Sequence, residues 1–210
     1  MADFNWSLDG TKFLDRKDVA KLRRQAERLR RIGVRTNRFR LVRNWFVVEV
    51  GLETGLRVME IAALQCGDLL MQQTAPEVIV RCGKGGKRRV VNVSRAFQRR
   101  CNWFLEAKKA AGQSIARDAP LFAARRTERP LCKRQIQSVF ERMATEAKLS
   151  KRVGIHSLRH TYGTFLYKAS GRNLRLVQKQ LGHSRITTTQ VYADVVAEDA
   201  VSAVERLYRA

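Results

Sequence analysis

The stretch from Ile155 to Asp194, IHSLRHTYGTFLYKASGRNLRLVQKQLGHSRITTTQVYAD, constrains the fold more than any other part of the chain. It holds every histidine of the sequence (His156, His160 and His183), an arginine three residues after the first and a tyrosine nine residues after the last. His156 and Arg159 are i and i+3 at the start of an expected helix, so their side chains share one face about 5–6 Å apart and can converge on one ligand. A helix from about Leu174 should stop at Leu181-Gly182, because glycine is the usual residue for the left-handed turn after a helix. On one unbroken helix, at about 100° per residue, His183 and Tyr192 would face opposite ways. A break is therefore needed. Ser184 and Thr187 to Thr189 offer N-caps for a separate short helix that swings the Tyr192 phenol towards the histidines. A phenol delivered to histidines and an arginine suits a covalent nucleophile, with arginine holding an anion and histidine moving a proton. Taken one residue at a time, a core tyrosine with surface histidines is the competing reading.

The rest of the chain reads as helices around a small sheet. Asp15 is an N-cap, with Asp18 at N3, for a helix ending near Ile32 before Gly33, and its apolar stripe is Val19, Leu22, Ala26 and Leu29. Thr36 is expected to cap a second helix, with Phe39, Val42, Trp45, Phe46 and Val50 in the core and an end at Gly55. Arg57 follows at the start of a further helical run, where backbone N–H groups favour an anion, and Glu60 is one turn on, placed to hold its guanidinium. Leu69–Met71, Val78–Cys82 and Arg88–Val93 read as a three-stranded antiparallel sheet. With Gly85-Gly86 as central turn residues, Lys84 and Lys87 would face each other across the last hairpin. Ser94 caps a helix with Phe97, Cys101, Phe104 and Leu105 inward; Leu121-Phe122 anchors a basic loop; Lys133–Lys148 is another helix. A last helix, about 197–208, carries Ala200, Val201, Val204 and Leu207 on one face. The fold class expected is α+β, mainly helical.

Charge narrows the partners. Lys and Arg number 42 against 19 Asp and Glu, a formal net charge of +23, which points to a polyanion. Arg16, Lys17, Lys21, Arg24, Arg28, Arg31, Arg35 and Arg38, with Arg23, Arg30, Arg40 and Arg43 among them, crowd the first helix and its exit. Such density of like charge repels itself unless phosphates neutralise it. Lys87 and Arg88 at the hairpin are further DNA-binding candidates. Glu49 and Glu53 interrupt the longest apolar stretch short of the ~18 residues of a membrane span, and no secretory signal is visible, so nucleic acid is expected rather than lipid, in the cytoplasm. Cys66, Cys82, Cys101 and Cys132 form no C-x-x-C pair and read as reduced core or semi-buried thiols, not a zinc site.

Set in order, T-G-L-R-x-x-E-I, G-K-G in a hairpin, H-x-L-R-H, L-G-H and a tyrosine nine residues on resemble the catalytic domain of the tyrosine recombinases, the phage integrase and Xer family. The resemblance runs over about residues 12–208 and leaves 1–11 as a tail. It implies that Tyr192 attacks a DNA phosphodiester to give a 3′-phosphotyrosine. Arg57 and Arg159 would clamp the non-bridging oxygens and His183 would add a hydrogen bond. His156 would accept the tyrosine proton, Lys84 would protonate the leaving 5′ oxygen, and Glu60 and His160 would support them. No metal or other cofactor is implied. The partners implied are double-stranded DNA, with an inverted-repeat site, and further copies of the chain: a tetramer on DNA, monomeric without it, exchanging the helix at 197–208. Typical members also carry an amino-terminal helical domain, for which the arginine-rich first helix is expected to compensate. Two other readings share the chemistry or the fold: a type IB topoisomerase-like relaxing enzyme and a DNA-binding regulator without the reaction.

Overall fold

The computed structural model describes residues 12–83, 86–124, 127–149 and 153–194. Helix α1 (Arg16–Arg35) begins as its sequence dictates: Asp15 lies in the extended region and its carboxylate accepts the Asp18 N–H at 2.8 Å. Leu22 and Ala26 are fully buried, with Val19 and Leu29 packed beside them. The helix does not stop at Ile32. Gly33 lies inside it because α1 crosses the next helix closely there: a Cβ at Gly33 would come 3.0 Å from Leu41 Cβ and from Val42 Cγ2. The end comes at Thr36, whose hydroxyl donates to Ile32 O at 2.7 Å, followed by Asn37 at φ 49°. Thr36 thus closes α1 and does not open α2, whose N-cap position is Arg38 without a side-chain cap.

Helix α2 (Phe39–Thr54) is the axis of the molecule. It is buried without a break from Trp45 to Leu52 and packs against α1, α4 (Arg95–Ala110), α5 (Lys133–Glu146) and α6 (His156–Ala169). Phe46 stacks on Phe104 with ring centroids 4.1 Å apart and lies 5.9 Å from Phe97 and 6.0 Å from Phe122, so α2, α4 and the loop anchor Leu121-Phe122 share one aromatic cluster. On another side of α2, Glu49 and Glu53 receive Arg23 from α1 and Arg100 from α4. Burial pushes the Glu49 carboxyl up, and the two guanidinium groups work against that rise.

Short helix α3 (Val58–Ala62) and a 3-10 turn (Cys66–Asp68) lead into the sheet β1 (Leu69–Leu70), β2 (Glu77–Val80) and β3 (Arg89–Asn92). It is antiparallel in the order β1-β2-β3, with Val78 opposite Val91 and Val80 opposite Arg89. Alternation puts Val78, Val80 and Val91 inward, as period-2 burial requires. The hairpin departs from expectation. The Gly83 N–H donates to Lys87 O at 3.0 Å and the Gly86 N–H to Gly83 O at 3.0 Å, so the residue paired with Lys87 is Gly83, and Gly86 takes the left-handed conformation at φ 74°. Lys84, like the helix expected at 197–208, lies outside the described residues.

Ser94 caps α4 through the Phe97 N–H, and α6 is followed by α7 (Leu174–Leu181) and α8 (Thr187–Asp194). The mainly helical architecture with one three-stranded antiparallel sheet is as expected. The cysteines are all free, but only Cys66 and Cys101 are buried; Cys82 and Cys132 are exposed, because each falls just beyond the packed part of its segment. Phe46→Ala should cost about 3–5 kcal/mol of unfolding free energy in urea titrations, and Phe46→Leu markedly less, since only the first leaves a large cavity.

Candidate active site

The site is assembled where several helix ends meet. Gly55 ends α2 in the left-handed region at φ 60°, and a Cβ there would fall 2.5 Å from Tyr162 Cδ1 and 2.9 Å from Leu181 Cδ2. Only glycine satisfies both demands. The turn delivers Arg57 to the N-cap position of α3, where its N–H donates to Glu60 Oε2 at 2.7 Å and its Nη1 to Glu60 Oε1 at 3.1 Å. Glu60 therefore holds Arg57, as its spacing predicts. Its carboxylate is also gripped by Arg89 of β3, Nη1 to Oε1 at 2.7 Å and Nη2 to Oε2 at 2.8 Å. Burial alone would push the Glu60 carboxyl up, but these hydrogen bonds outweigh it and hold it below the usual carboxylate range.

Arg159, on the first turn of α6, is 6% exposed. Its guanidinium donates to two helix-end carbonyls, Gly55 O at 2.8 Å and Leu181 O at 2.7 Å, and so ties the end of α2 to the end of α7. Burial, with the Arg57 charge next in weight, lowers it to about 10. His156, partly exposed at the start of the same helix, is depressed by the partial desolvation of its ring and by the charges of Arg159, Lys133 and Arg57. Gly182 ends α7 at φ 66° and presents His183, whose Nδ1 lies 3.0 Å from the Thr189 hydroxyl on α8. One hydroxyl expected as a cap is thus used differently: Thr189 is fully buried and engages the histidine.

Tyr192 rides α8 back to α6, on a helix separate from α7 as its spacing predicts. It is only 1% exposed. Its ring lies flat on Gly163, where a Cβ would meet Tyr192 Cζ at 2.5 Å and the hydroxyl at 2.9 Å. The phenol oxygen is 3.5 Å from His160 Nδ1, and the His183 ring is parallel to it, centroids 6.4 Å apart. Burial pushes the phenol up to about 12, against the pull of Arg159 and Arg57. His183 is brought down to about 3 and His160 to about 4, first by burial and then by the Arg159 charge, so both imidazoles are neutral at pH 7.

These placements bring Arg57, Glu60, His156, Arg159, His160, His183 and Tyr192 into one cluster. The base of the hairpin reaches it too, since a Cβ at Gly83 would be 3.7 Å from Glu60 Oε1. Arg16, Lys17, Lys21, Arg24, Arg28, Arg31, Arg35, Arg38, Lys87 and Arg88 are all exposed. The same arginine run holds three that turn inward. Arg23 pairs with Glu53, Arg30 pairs with Glu27 and lies 4.5 Å over the Trp103 ring, and Arg43 donates to Ala123 O.

Sequence matching agrees with this geometry. Residues 12–199 match the Phage integrase family. The chain belongs to that family. Among curated relatives, this family member is 34% identical to tyrosine recombinase XerC of Shewanella sp. strain ANA-3 over 73% of its own length and 49% of the relative's. It is 33% identical to tyrosine recombinase XerD of Oceanobacillus iheyensis over 79% of this chain and 54% of that one. The chain thus spans about half the length of these curated relatives. Its fold is that of the tyrosine recombinase catalytic domain: the XerH site-specific recombinase bound to palindromic difH substrate superposes with a TM-score of 0.73 at 21% identity, covering 96% of this chain and 54% of that one. The XerA recombinase superposes at 0.72 with 25% identity, covering 91% and 64%.

Sequence reading passed over Arg89 and Gly163 and gave Thr189 only the part of a helix cap. Two of them left a signal. Arg89 shares the inward face of β3 with Val91, an unusual place for a charge, and Gly163 sits mid-helix, where glycine is costly without a packing reason. Depressed imidazoles also set a direction for stability. Between about pH 6.5 and 4 the unfolded chain binds protons that folded His160 and His183 refuse, so stability is complete above pH 6.5 and falls as pH falls through that window, by up to about 1.4 kcal/mol per pH unit for each histidine. Urea titrations from pH 7.5 to 4.5 should show this loss, and a His160→Gln, His183→Gln double variant should show a shallower slope. Imidazole NMR signals titrating near pH 6.5 would contradict the assignment.

Proposed function

We propose that this chain breaks and rejoins DNA as a site-specific recombinase, with Tyr192 as nucleophile. One observation carries the reading: the phenol lies against His160 and His183, within reach of the Arg57 and Arg159 charges, in a fold whose relatives are named tyrosine recombinases. Phosphoryl transfer requires chiefly alignment and stabilisation of charge on the non-bridging oxygens, and planar guanidinium groups supply both.

In this reading the Tyr192 oxygen attacks phosphorus in line and the bond from phosphorus to O5′ breaks, leaving a 3′-phosphotyrosine and a 5′-hydroxyl. His156 takes the phenol proton and Lys84 gives one to O5′. Attack by another 5′-hydroxyl reverses the step, and the phosphotyrosine keeps the energy of the original bond, so no nucleotide is spent. A Thr189 hydroxyl donating to Nδ1 leaves the His183 proton on Nε2, free to bond a non-bridging oxygen. Because the resting phenol is buried against Gly163, it must leave that shelf before it reaches a phosphate. His160, which touches the resting phenol, then acts in the stored position and His156 in the reacting one. The DNA substrate, an inverted-repeat site, a tetramer of this chain on it, and action in the cytoplasm at the nucleoid belong to the same proposal, as does a catalytic domain spanning residues 12–210. The structures of XerH with difH substrate in pre-cleavage and post-cleavage complexes support the choice of partner.

Covalent trapping tests the reaction. The protein and its Tyr192→Phe variant are incubated with supercoiled plasmid carrying candidate sites, denatured, and protein-linked ends are mapped. Adducts at discrete positions with the protein and none with the variant are expected. Scattered adducts with relaxation would replace the recombinase by a topoisomerase-like enzyme, and tight binding without adducts would leave a regulator.

The basic face is tested separately. Reversing Arg16, Lys21, Arg24 and Arg28 to Glu should weaken duplex binding and reduce the slope of log K against log salt by about 0.9 for each phosphate no longer neutralised. Unchanged affinity across a salt series would remove α1 from the DNA interface.

A further inference from the structure

Arg89 lies outside the catalytic set that the family resemblance supplies, yet three parts of the site meet on it. Its fork holds both oxygens of Glu60, at 2.7 and 2.8 Å, and Glu60 in turn holds Arg57. Its Nε points to Gln180 O at 3.4 Å, one residue before the end of α7. Its aliphatic stem fills the space over the turn that presents His183: a Cβ at Gly182 would lie 2.5 Å from Arg89 Cδ and 2.8 Å from its Nε. The same strand is fastened to α7 a second time, where the Asn92 N–H donates to Gln180 Oε1 at 3.2 Å and Gln180 Nε2 to Asn92 Oδ1 at 3.1 Å. At its other end β3 continues the hairpin whose base touches Glu60.

We propose that Arg89 is a positioning residue for the phosphate clamp, fixing Arg57 through Glu60 and the His183 turn through Gly182, so that β3 sets the spacing between the two. The proposal rests on the strand-transfer reading above.

The physical case is geometric and electrostatic. Glu60 is 6% exposed and faces Arg57 from its own helix, Arg89 from β3 and Arg159 from α6. Among the influences that keep its carboxylate ionised, the Arg89 hydrogen bonds are the largest. Without them a buried acid is left with the Arg57 contacts and the Arg159 charge and its proton affinity rises, which loosens the guanidinium it orients. Lysine cannot replace the fork, since it offers one point charge where two parallel bonds are needed. The rival explanation is that Arg89 merely anchors the hairpin and acts on catalysis through Lys84.

A leaving-group substitution separates the two. Suicide duplexes carrying either the natural 5′-bridging oxygen or a 5′-bridging sulfur are cleaved in single turnover by the protein, Arg89→Met, Arg89→Lys and Lys84→Ala. A thiolate departs without a proton, so a defect in the acid is repaired by sulfur and a defect in the clamp is not. Arg89→Met should cleave about 100-fold more slowly on both substrates, as expected for a misplaced reacting group. Arg89→Lys should be intermediate on both, and Lys84→Ala should recover on sulfur. The rate of Arg89→Met should also rise with pH beyond the rise seen for the parent protein as Glu60 ionises, and lose that extra dependence when Glu60→Gln is added. Should Arg89→Met fail to fold, Arg89→Lys carries the same comparison. Wild-type cleavage rates in both Arg89 variants, or full recovery on sulfur, would overturn the proposal. Absence of cleavage by the parent protein on either substrate would instead count against the strand-transfer reading itself.

Discussion

One carboxylate holds two arginines together beside a third. Arg57, Arg89 and Arg159 all act on Glu60. At a separation of 4 Å and an effective dielectric of about 20, two like charges cost roughly 4 kcal/mol, so such a group of guanidiniums would drive itself apart without compensation. Glu60 supplies it for Arg57 and Arg89, while Arg159 is steadied by carbonyls at the ends of α2 and α7. The cluster keeps a positive excess after this compensation. That excess is the field an incoming phosphate would meet, fixed in place beforehand and in need of little reorganisation.

Helix ends do most of the positioning. Gly55 and Gly182 turn left-handed at the ends of α2 and α7, and the carbonyls exposed there are the ones Arg159 binds. An arginine at two helix C-termini also meets the negative end of each helix dipole. The fold thus uses the unsatisfied ends of its own secondary structure to orient the Arg159 guanidinium, and α2, buried from Trp45 to Leu52, gives those ends a rigid reference.

Much of this could be read from the sequence because it rests on local rules. The Asp15 and Ser94 caps, the stop at Gly182 and the separation of Tyr192 from His183 follow from backbone preferences that act within a few residues. Where the sequence misled, a distant partner decided. Gly33 looked like a helix end and is a crossing point, because what it accommodates is α2. Arg23, Arg30 and Arg43 looked like members of a phosphate-facing basic run and are engaged instead by Glu53, by the Trp103 ring and by Ala123 O. Arg89 was hidden for the same reason, since its role depends on Glu60, Gln180 and Gly182 arriving from three other segments. The site residues with family motifs were legible by resemblance; those whose meaning lies in contact were not.

The glycine shelf under Tyr192 has a consequence for how commitment is controlled. A phenol with 1% exposure is shut away from solvent and from whatever touches the surface. Withdrawing the ring from Gly163 and from between His160 and His183 takes work, and that work has to come from contacts made on other parts of the molecule. Under the proposed function, grip on a duplex and readiness to cut it would then be separate quantities. Loose electrostatic attachment along the basic face would be frequent and harmless, while scission would be reserved for encounters whose fit is good enough to lift the phenol out of storage.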